Sequence, residues 1–183
     1  MPSYCEYVRS PKAHPIHKWY HDHEHGFPAR DDNALFERLM LEINQAGLSW
    51  DTVLRKLEHF RRAYDRFDVD AVAAYGDADR ARLLGDPGII RNRLKVNAAI
   101  ENARRIVALR ADYGSFAGWL EAHHPLSKDA WVKLFKQTFV FTGEEIVNEF
   151  LMSTGYLPGA HDEHCPIFER VAALRPAWMR MKR

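Results

Sequence analysis

Apolar residues recur along this chain at the three- and four-residue spacing of amphipathic helices, and no segment alternates with period two for long enough to predict a sheet. The clearest predicted helix can be capped by Asp32 and ends at Gly47. Its apolar face follows the i, i+3, i+4, i+7 pattern through Phe36, Leu39, Met40 and Ile43. Ser49 can cap the next helix, whose inward positions are Val53, Leu57 and Phe60. The pattern therefore predicts an all-α fold.

Helical patterns continue to the end of the chain. Asp68 and Asp77 can each start a short helix. Further helices are predicted over residues 92–109, 115–123, 128–137 and 144–154, followed by an amphipathic stretch with a basic end over 167–183. Turn signals at residues 85–90 and 155–166 separate these segments, and the sequence contains no internal repeat.

Composition places the chain among globular proteins. It has 183 residues, of which 46% are hydrophobic, enough to bury a core. Because no apolar run approaches about 18 residues, we expect no membrane-spanning segment. The first eleven residues are polar and lack the apolar centre of a signal peptide, so we expect an intracellular protein. A net charge of +1 implies no partner by itself.

Positive charge is concentrated in one segment. Between residues 91 and 110 the single acid is Glu101, and the basic residues are Arg91, Arg93, Lys95, Arg104, Arg105 and Arg110. This excess suits phosphate binding, although a solvated helix face explains it equally well. The string from Leu83 to Val96 also predicts two helices joined by a glycine-containing hairpin, whose backbone N–H groups could hold a phosphate. Pro-Gly pairs also occur in such links for purely geometric reasons.

The two cysteines of the chain each have a histidine partner at a workable distance. Cys5 precedes His21, and His161 precedes Cys165 by four residues. Two cysteines and two histidines make a closed tetrahedral set for zinc, which is typical of a structural site. Spacing alone leaves buried thiols or a disulfide as alternatives, because neither pair has the short spacing that usually reports zinc.

Glu42 lies at the edge of an apolar stripe, between Leu35 and Leu39 on a helical wheel. A partly desolvated carboxylate tends to have a perturbed pKa or a bound donor, unless it reaches solvent or caps a neighbouring helix. Aromatic and histidine residues are dense in the first 27 positions and continue at Trp50. Aromatic faces with one acidic acceptor are suited to a flipped nucleobase, but the same rings could simply pack the N-terminal segment onto the core.

Taken together, these segments resemble the 3-methyladenine DNA glycosylase I family of bacteria. The matching strings are YHDHEHG (20–26), LEINQAGLSW (41–50), DPGIIRNRLK (86–95), FVFTG (139–143) and the GYLPGAH ending that leads to Cys165. The resemblance covers about residues 5–165 and implies an all-α helix-hairpin-helix glycosylase fold. It also implies a structural Zn²⁺ that ties the N- and C-terminal segments together.

The resemblance assigns roles to particular positions of this chain. The zinc ligands fall on Cys5, His21, His161 and Cys165. The base-recognising acid falls on Glu42, with Tyr20 and Trp50 as pocket aromatics. The DNA contacts fall on a wedge at Gly47 and Leu48 and on a hairpin at Gly88, Ile89, Ile90 and Arg91.

Three predicted base-binding positions depart from the family pattern. Tyr7 stands where the family usually has tryptophan, His17 where it has tyrosine, and His25 where it has tryptophan. Histidines make a smaller and more polar pocket, and they can become cationic near neutral pH. Because a cationic wall repels a cationic base, the preferred lesion could be a different alkylpurine.

The implied activity is hydrolysis of the N-glycosidic bond of an alkylated purine, 3-methyladenine first, in double-stranded DNA. No lyase activity is expected, because no lysine falls at a nucleophilic position. Two alternatives stay open: a zinc-stapled DNA-binding protein without catalysis, and a pocket for a small heterocycle outside DNA. We expect a cytoplasmic monomer that acts at the nucleoid.

The expected organisation is a single unit over residues 1–183. A helical core spans 32–138 and contains the helix-hairpin-helix near 77–110. Residues 1–31 and 139–166 form a zinc-linked terminal lobe, and 167–183 form a C-terminal tail.

Overall fold

The computed structural model describes residues 2–180, and all regular elements in that range are helical. The α-helices are α1 (Tyr4–Arg9), α2 (Pro15–His23), α3 (Asp32–Gln45), α4 (Trp50–Arg55), α5 (Leu57–Ala63), α6 (Val69–Ala73), α7 (Asp77–Gly85), α8 (Arg93–Tyr113), α9 (Phe116–His123), α10 (Lys128–Thr138), α11 (Glu144–Ser153) and α12 (Pro166–Ala173). Short 3-10 helices lie at Asp65–Phe67 and Ala177–Met179. The predicted all-α class is confirmed. Among residues 2–180, no helix has both the length and the apolar character needed to cross a bilayer.

The start of α3 differs in detail from the prediction. Asp31, rather than Asp32, caps the helix by accepting a hydrogen bond from the backbone N–H of Ala34. The Asp32 carboxylate instead accepts hydrogen bonds from the Phe116 N–H at 2.8 Å and from Arg110 Nε at 3.0 Å. Asp32 therefore fastens the start of α3 to α8 and α9, a tertiary role that a local capping rule does not predict.

Two helices at the N-terminus were not predicted from hydrophobic periodicity. A capping box starts α1, in which Ser3 accepts from the Glu6 N–H and Glu6 accepts from the Ser3 N–H. Pro15 occupies the first turn of α2, a favoured place for proline. Both helices are short, so the capping signals, and not the apolar pattern, were the available evidence.

The main core surrounds α3, which contacts α4, α8, α9 and α11. Its largest fully buried side chains are mostly aromatic: Trp131, Tyr64, Phe36, Phe60, Phe67, Phe116, Phe135 and Phe150. The single helix predicted after Ser49 is divided at Lys56 into α4 and α5. Its predicted inward residues, Val53, Leu57 and Phe60, are nevertheless all buried. The central position of α3 explains why its polar residues near the C-terminal end, including Glu42, lie inside the protein.

A smaller apolar cluster joins the two ends of the described chain. Cys5, Cys165, Ile167 and Val171 are buried together, and Phe27 and Phe168 pack against them. The amphipathic helix predicted over 167–183 ends at Ala173, and residues 181–183 lie outside the described residues.

The predicted helix-hairpin-helix is present as α7, a connection over residues 86–92, and α8. Asn92 caps α8 by accepting from the Lys95 N–H, and Asp86 accepts from the Gly88 N–H at 2.8 Å. A Cβ at Gly88 would lie 2.8 Å from Nδ1 of the exposed His59 side chain, so α5 approaches the hairpin closely at this point.

Candidate functional site

A cleft of about 1270 Å³ opens beside the C-terminal half of α3. Its walls come from the two N-terminal helices, from the turn that follows α3, and from the first half of α11. The predicted residues Tyr20, His25, Glu42 and Trp50 all line this cleft, and Gly47 and Leu48 lie at its edge. Two residues that sequence reasoning missed, Tyr4 and Glu149, line it as well.

Glu42 lies at the floor of the cleft and is only 6% exposed. Burial raises the pKa of Glu42 to about 8; the charge of Glu149 raises it as well, whereas Arg38 lowers it. Arg38 is occupied elsewhere, because it pairs with Glu24 and donates a 2.9 Å hydrogen bond to the Ser153 carbonyl. Among residues 2–180, Glu42 therefore has no ion-pair partner of its own. A ligand that brings a positive charge or hydrogen-bond donors supplies what this carboxyl lacks.

Aromatic rings surround the space above Glu42. Tyr20 meets Trp50 edge to face with ring centroids 5.2 Å apart, and it lies 5.7 Å from the His25 ring. Tyr4 meets His25 edge to face at 5.4 Å. The Arg38 guanidinium lies over the Tyr20 ring at 5.5 Å and holds it in place. Rings in this arrangement can enclose a planar heterocycle whose edge reaches Glu42.

Tyr7 and His17 were predicted to contact the base, but neither lines the cleft in the described chain. His17 is buried behind Tyr4, with its Nδ1 3.2 Å from the Tyr4 hydroxyl and its Nε2 3.1 Å from Asp51 Oδ1. Tyr7 stacks on Tyr4 at 6.3 Å and meets His17 edge to face at 5.2 Å. Both residues thus support Tyr4, which faces the cleft from the preceding turn of α1.

The histidines near the cleft carry little positive charge near neutral pH. Burial lowers the pKa of His25 to about 3, with His161 and Arg38 adding to the effect. Burial also lowers the pKa of His17, although the hydrogen bond to Asp51 opposes that shift. Both shifts oppose the expected positive charge on these histidines near neutral pH, so that expectation gives no reason to exclude a cationic ligand.

The turn after α3 projects an apolar side chain at the mouth of the cleft. Gly47 has a φ of 77°, a conformation that glycine adopts without strain, and Leu48 is 41% exposed. Lys95 of α8 lies buried beneath this turn, where its Nζ donates to the carbonyls of Asn44 at 2.8 Å and Ala46 at 2.6 Å. These bonds satisfy carbonyls at the C-terminal end of α3 and fix the place from which Leu48 projects.

Replacing Lys95 with methionine is expected to lower the free energy of unfolding by about 1–3 kcal/mol, because carbonyls at the end of α3 lose their donor. Urea unfolding of Lys95→Met beside Arg93→Met, an exposed position on the same helix, measures the effect. Equal stability of the two variants would contradict this role of Lys95.

Most of the basic segment serves the fold and not the surface. Arg104 donates to the backbone carbonyls of Ala73 and Tyr75, Arg105 pairs with Glu101, and Arg110 pairs with Asp32 and Asp70. Arg91 and Arg93 are exposed beside the hairpin. The region available for phosphate binding is therefore narrower than the count of basic residues suggests, and it is centred on the hairpin.

The four predicted metal ligands meet in one buried cluster. Both cysteines are free thiols, and the ligand atoms of Cys5, His21, His161 and Cys165 all lie within 4.8 Å of one another. The two histidine nitrogens are 3.2 Å apart, and the nitrogen–sulfur distances run from 3.3 to 3.9 Å. A regular zinc tetrahedron has nitrogen–nitrogen edges of roughly 3.3 Å and nitrogen–sulfur edges of roughly 3.5 Å. The cluster thus has the size and the donor set of a metal site.

Neighbouring groups orient these ligands. His21 Nδ1 lies 2.7 Å from Asp22 Oδ1, and His161 Nε2 donates to the His25 carbonyl at 2.7 Å. Such second contacts direct the opposite ring nitrogens, Nε2 of His21 and Nδ1 of His161, into the cluster. Gly26, with a φ of 80°, completes the arrangement, because a Cβ there would lie 2.8 Å from Ala160 Cβ.

The sequence and the fold are similar to those of known proteins. A profile of the methyladenine glycosylase family matches residues 10–125. DNA-3-methyladenine glycosylase 1 of Escherichia coli is 38% identical over an alignment of 160 residues, and the match covers 77% of this chain and 86% of that protein. DNA-3-methyladenine glycosylase of Haemophilus influenzae is 34% identical, and the match covers 80% of this chain and 89% of that protein. A tyrosine-to-phenylalanine variant of 3-methyladenine DNA glycosylase I, crystallised with 3-methyladenine, superposes with a TM-score of 0.76 at 31% identity, over 85% of this chain and 94% of that one.

Proposed function

The chain belongs to the methyladenine glycosylase family, and from that premise we propose that it is a DNA glycosylase that excises 3-methyladenine from damaged DNA. The reaction hydrolyses the N-glycosidic bond and leaves an abasic site. The observation that carries the proposal is the unpaired, buried carboxyl of Glu42 at the floor of an aromatic cleft.

The cleft suits a base that carries positive charge. Alkylation at N3 makes the purine cationic and weakens its glycosidic bond, so the leaving group is already good. Glu42 accepts hydrogen bonds from the amine edge of the base, and Tyr20 and Trp50 attract the cation by about 0.5–2 kcal/mol per contact. Neutral adenine gains less from both interactions. Because burial lowers the pKa of His25, this cleft residue does not repel the cationic base.

The surface around the cleft suits duplex DNA. Leu48 acts as the wedge that fills the space left by the flipped nucleotide, and the hairpin at residues 88–91 holds the backbone through its N–H groups and Arg91. The protein acts as a monomer in the cytoplasm at the nucleoid. These assignments rest on exposure and position, since Leu48 and Arg91 both point away from the core.

The lysines near the cleft support hydrolysis without a lyase step. Lys128 lines the cleft and pairs with Glu144 at 2.9 Å, and this contact raises the pKa of Lys128 and keeps it protonated. Lys95 is buried beneath the wedge, with its ammonium donating to two carbonyls. Neither is a free amine that could attack C1′.

We infer that the cluster would hold Zn²⁺ in a structural role. Two thiolates and two imidazoles are its preferred donors, and four protein ligands fill a tetrahedral shell. When bound, zinc supplies cross-linking between the N-terminal helices and the segment before α12 and takes no part in the reaction at the cleft. Burial raises the pKa of the Cys5 thiol to about 11, so a bound cation is needed to keep the thiolate charged.

Wild-type protein is expected to release 3-methyladenine from methylated duplex DNA, because the cleft binds the charged base and water completes the hydrolysis. Chromatography of the released bases measures this, with Glu42→Gln as the control. Strand nicking without alkali would contradict the monofunctional assignment. Release of another alkylpurine without 3-methyladenine would mean that the preferred lesion is that other base. Absence of any release from folded protein would favour a DNA-binding role without catalysis.

A further inference from the structure

A second carboxylate, Glu149 of α11, lines the same cleft as Glu42 and is unused by base recognition. It is half-buried, and no basic side chain among residues 2–180 forms an ion pair with it. Its neighbour Asn148 also lines the cleft, and the nearby Asn148 amide opposes the rise in the pKa of Glu149. Glu149 is therefore a cleft carboxylate whose function base recognition does not explain.

The acids of the cleft differ in depth. Glu42 lies at the floor, more than nine-tenths buried and without an ion-pair partner in the described chain. Glu149 is half-buried, and Glu145, four residues earlier on the same face of α11, is exposed. Since α11 packs on α3, these three carboxylates are arranged in order of burial from the floor to the mouth; the fourth acid of the cleft, Glu144, pairs with Lys128.

A flipped nucleotide enters such a cleft with its base first, because its sugar stays tethered to the DNA backbone. The base edge then reaches Glu42 at the floor, and C1′ stays nearer the mouth. Glu149, which is shallower than Glu42 but still sheltered from solvent, is the carboxylate on the sugar side.

During the reaction, positive charge passes from the base near the floor of the cleft to the sugar nearer the mouth. The bond between C1′ and the base nitrogen breaks, and its electron pair stays with the base and neutralises it. Positive charge develops on the sugar at C1′. A carboxylate beside the base stabilises the starting cation, whereas a carboxylate beside the sugar stabilises the transition state.

We propose that Glu149 is a further catalytic residue, which stabilises the positive charge at C1′ and accepts a proton from the attacking water. This inference rests on the proposed glycosylase function. The water oxygen bonds to C1′, one water proton passes to the Glu149 carboxylate and then to solvent, and the neutral base leaves. Burial raises the pKa of Glu149, and the charge of Glu145 adds to this, which strengthens the carboxylate as a base.

Single-turnover release of 3-methyladenine tests the proposal, with Glu145→Gln as the matched control at the mouth. Glu149→Gln is expected to be about 100-fold slower at every pH where the wild type is active, as for loss of a general base. Its affinity for an abasic duplex and its melting temperature should stay close to those of the wild type. Glu145→Gln should slow release by roughly threefold or less, because it removes one charge that strengthens Glu149 and leaves the Glu149 carboxylate in place.

The direction of the change separates this role from an indirect one. If Glu149 acted only by raising the pKa of Glu42, its removal would let Glu42 ionise more easily and would speed release near pH 7. A faster or unchanged rate in Glu149→Gln overturns the proposal. Glu149→Asp should recover at least about tenfold over Glu149→Gln, because a carboxylate is restored. Equal losses in the two variants would indicate a packing role and also overturn it. No release by the wild type would count against the glycosylase function instead.

Discussion

Glu42→Gln is expected to reduce release of 3-methyladenine by about 100-fold, because the flipped cationic base loses hydrogen bonds to a charged acceptor, which are worth about 1.5–3 kcal/mol. Glutamine keeps the shape of the side chain but loses the negative charge that attracts the cationic base. Multiple-turnover assays on methylated duplex DNA measure the loss. Wild-type activity should also rise with pH toward about 8, because burial raises the pKa of Glu42 to about 8 and the ionised form binds the base.

The same substitution should stabilise the folded protein at high pH. The pKa of Glu42 is raised on folding, so ionisation in the unfolded chain costs stability as pH increases from the ordinary value of 4.5 to about 8. Glu42→Gln removes that cost, and its melting temperature should exceed that of the wild type at pH 8 but not at pH 4.

Glu37→Gln provides the control, because Glu37 lies on the same helix but pairs with Arg61 at 2.8 Å. It should lose stability and keep base release. A Glu42→Gln protein that is fully active, or one less stable than the wild type at pH 8, would contradict the role argued for the buried carboxyl.

If the cluster holds the proposed Zn²⁺, removal of that ion is expected to lower the melting temperature by about 10 °C, which corresponds to several kcal/mol for a domain of this size. Without the ion, the ends of the chain lose their cross-link and the small apolar cluster around Cys5 and Cys165 opens. The main core around α3 should keep its helices. Calorimetry with and without a chelator, together with elemental analysis, measures both the shift and the metal content.

Cys165→Ser should reproduce the effect of chelation, because it removes one ligand without changing the size of the side chain greatly. His164→Ala is the matched control, since this exposed histidine is adjacent in sequence but does not belong to the cluster. Folded wild-type protein that binds one zinc ion per chain is the expected result. Protein that folds with no bound metal and ignores the chelator would contradict the structural role.

Several helices could be predicted because their signals are local. Ser49 and Asp68 accept hydrogen bonds from backbone N–H groups three residues later, as a capping rule requires. The ligand pairs were found because each of the two cysteines has a histidine partner, and Glu42 because a carboxyl lies at the edge of an apolar stripe. The resemblance to a known family then assigned their roles. The capping box that starts α1 was equally local, and it could have revealed Tyr4 as a residue on the same face as Tyr7.

By itself, then, the sequence determined the helical class, the positions of most helices, the family, and the residues that meet in the metal cluster. Helical spacing and caps involve neighbours within one or two turns, so they can be read along the chain. Only the tertiary structure decided that Tyr4 faces the cleft and that Glu149 shares it with Glu42. The same holds for the support that Lys95 gives to the turn before Leu48 and for the burial that lowers the pKa of His25. Burial and charge interaction depend on groups that are distant in the sequence and meet when the helices pack around α3.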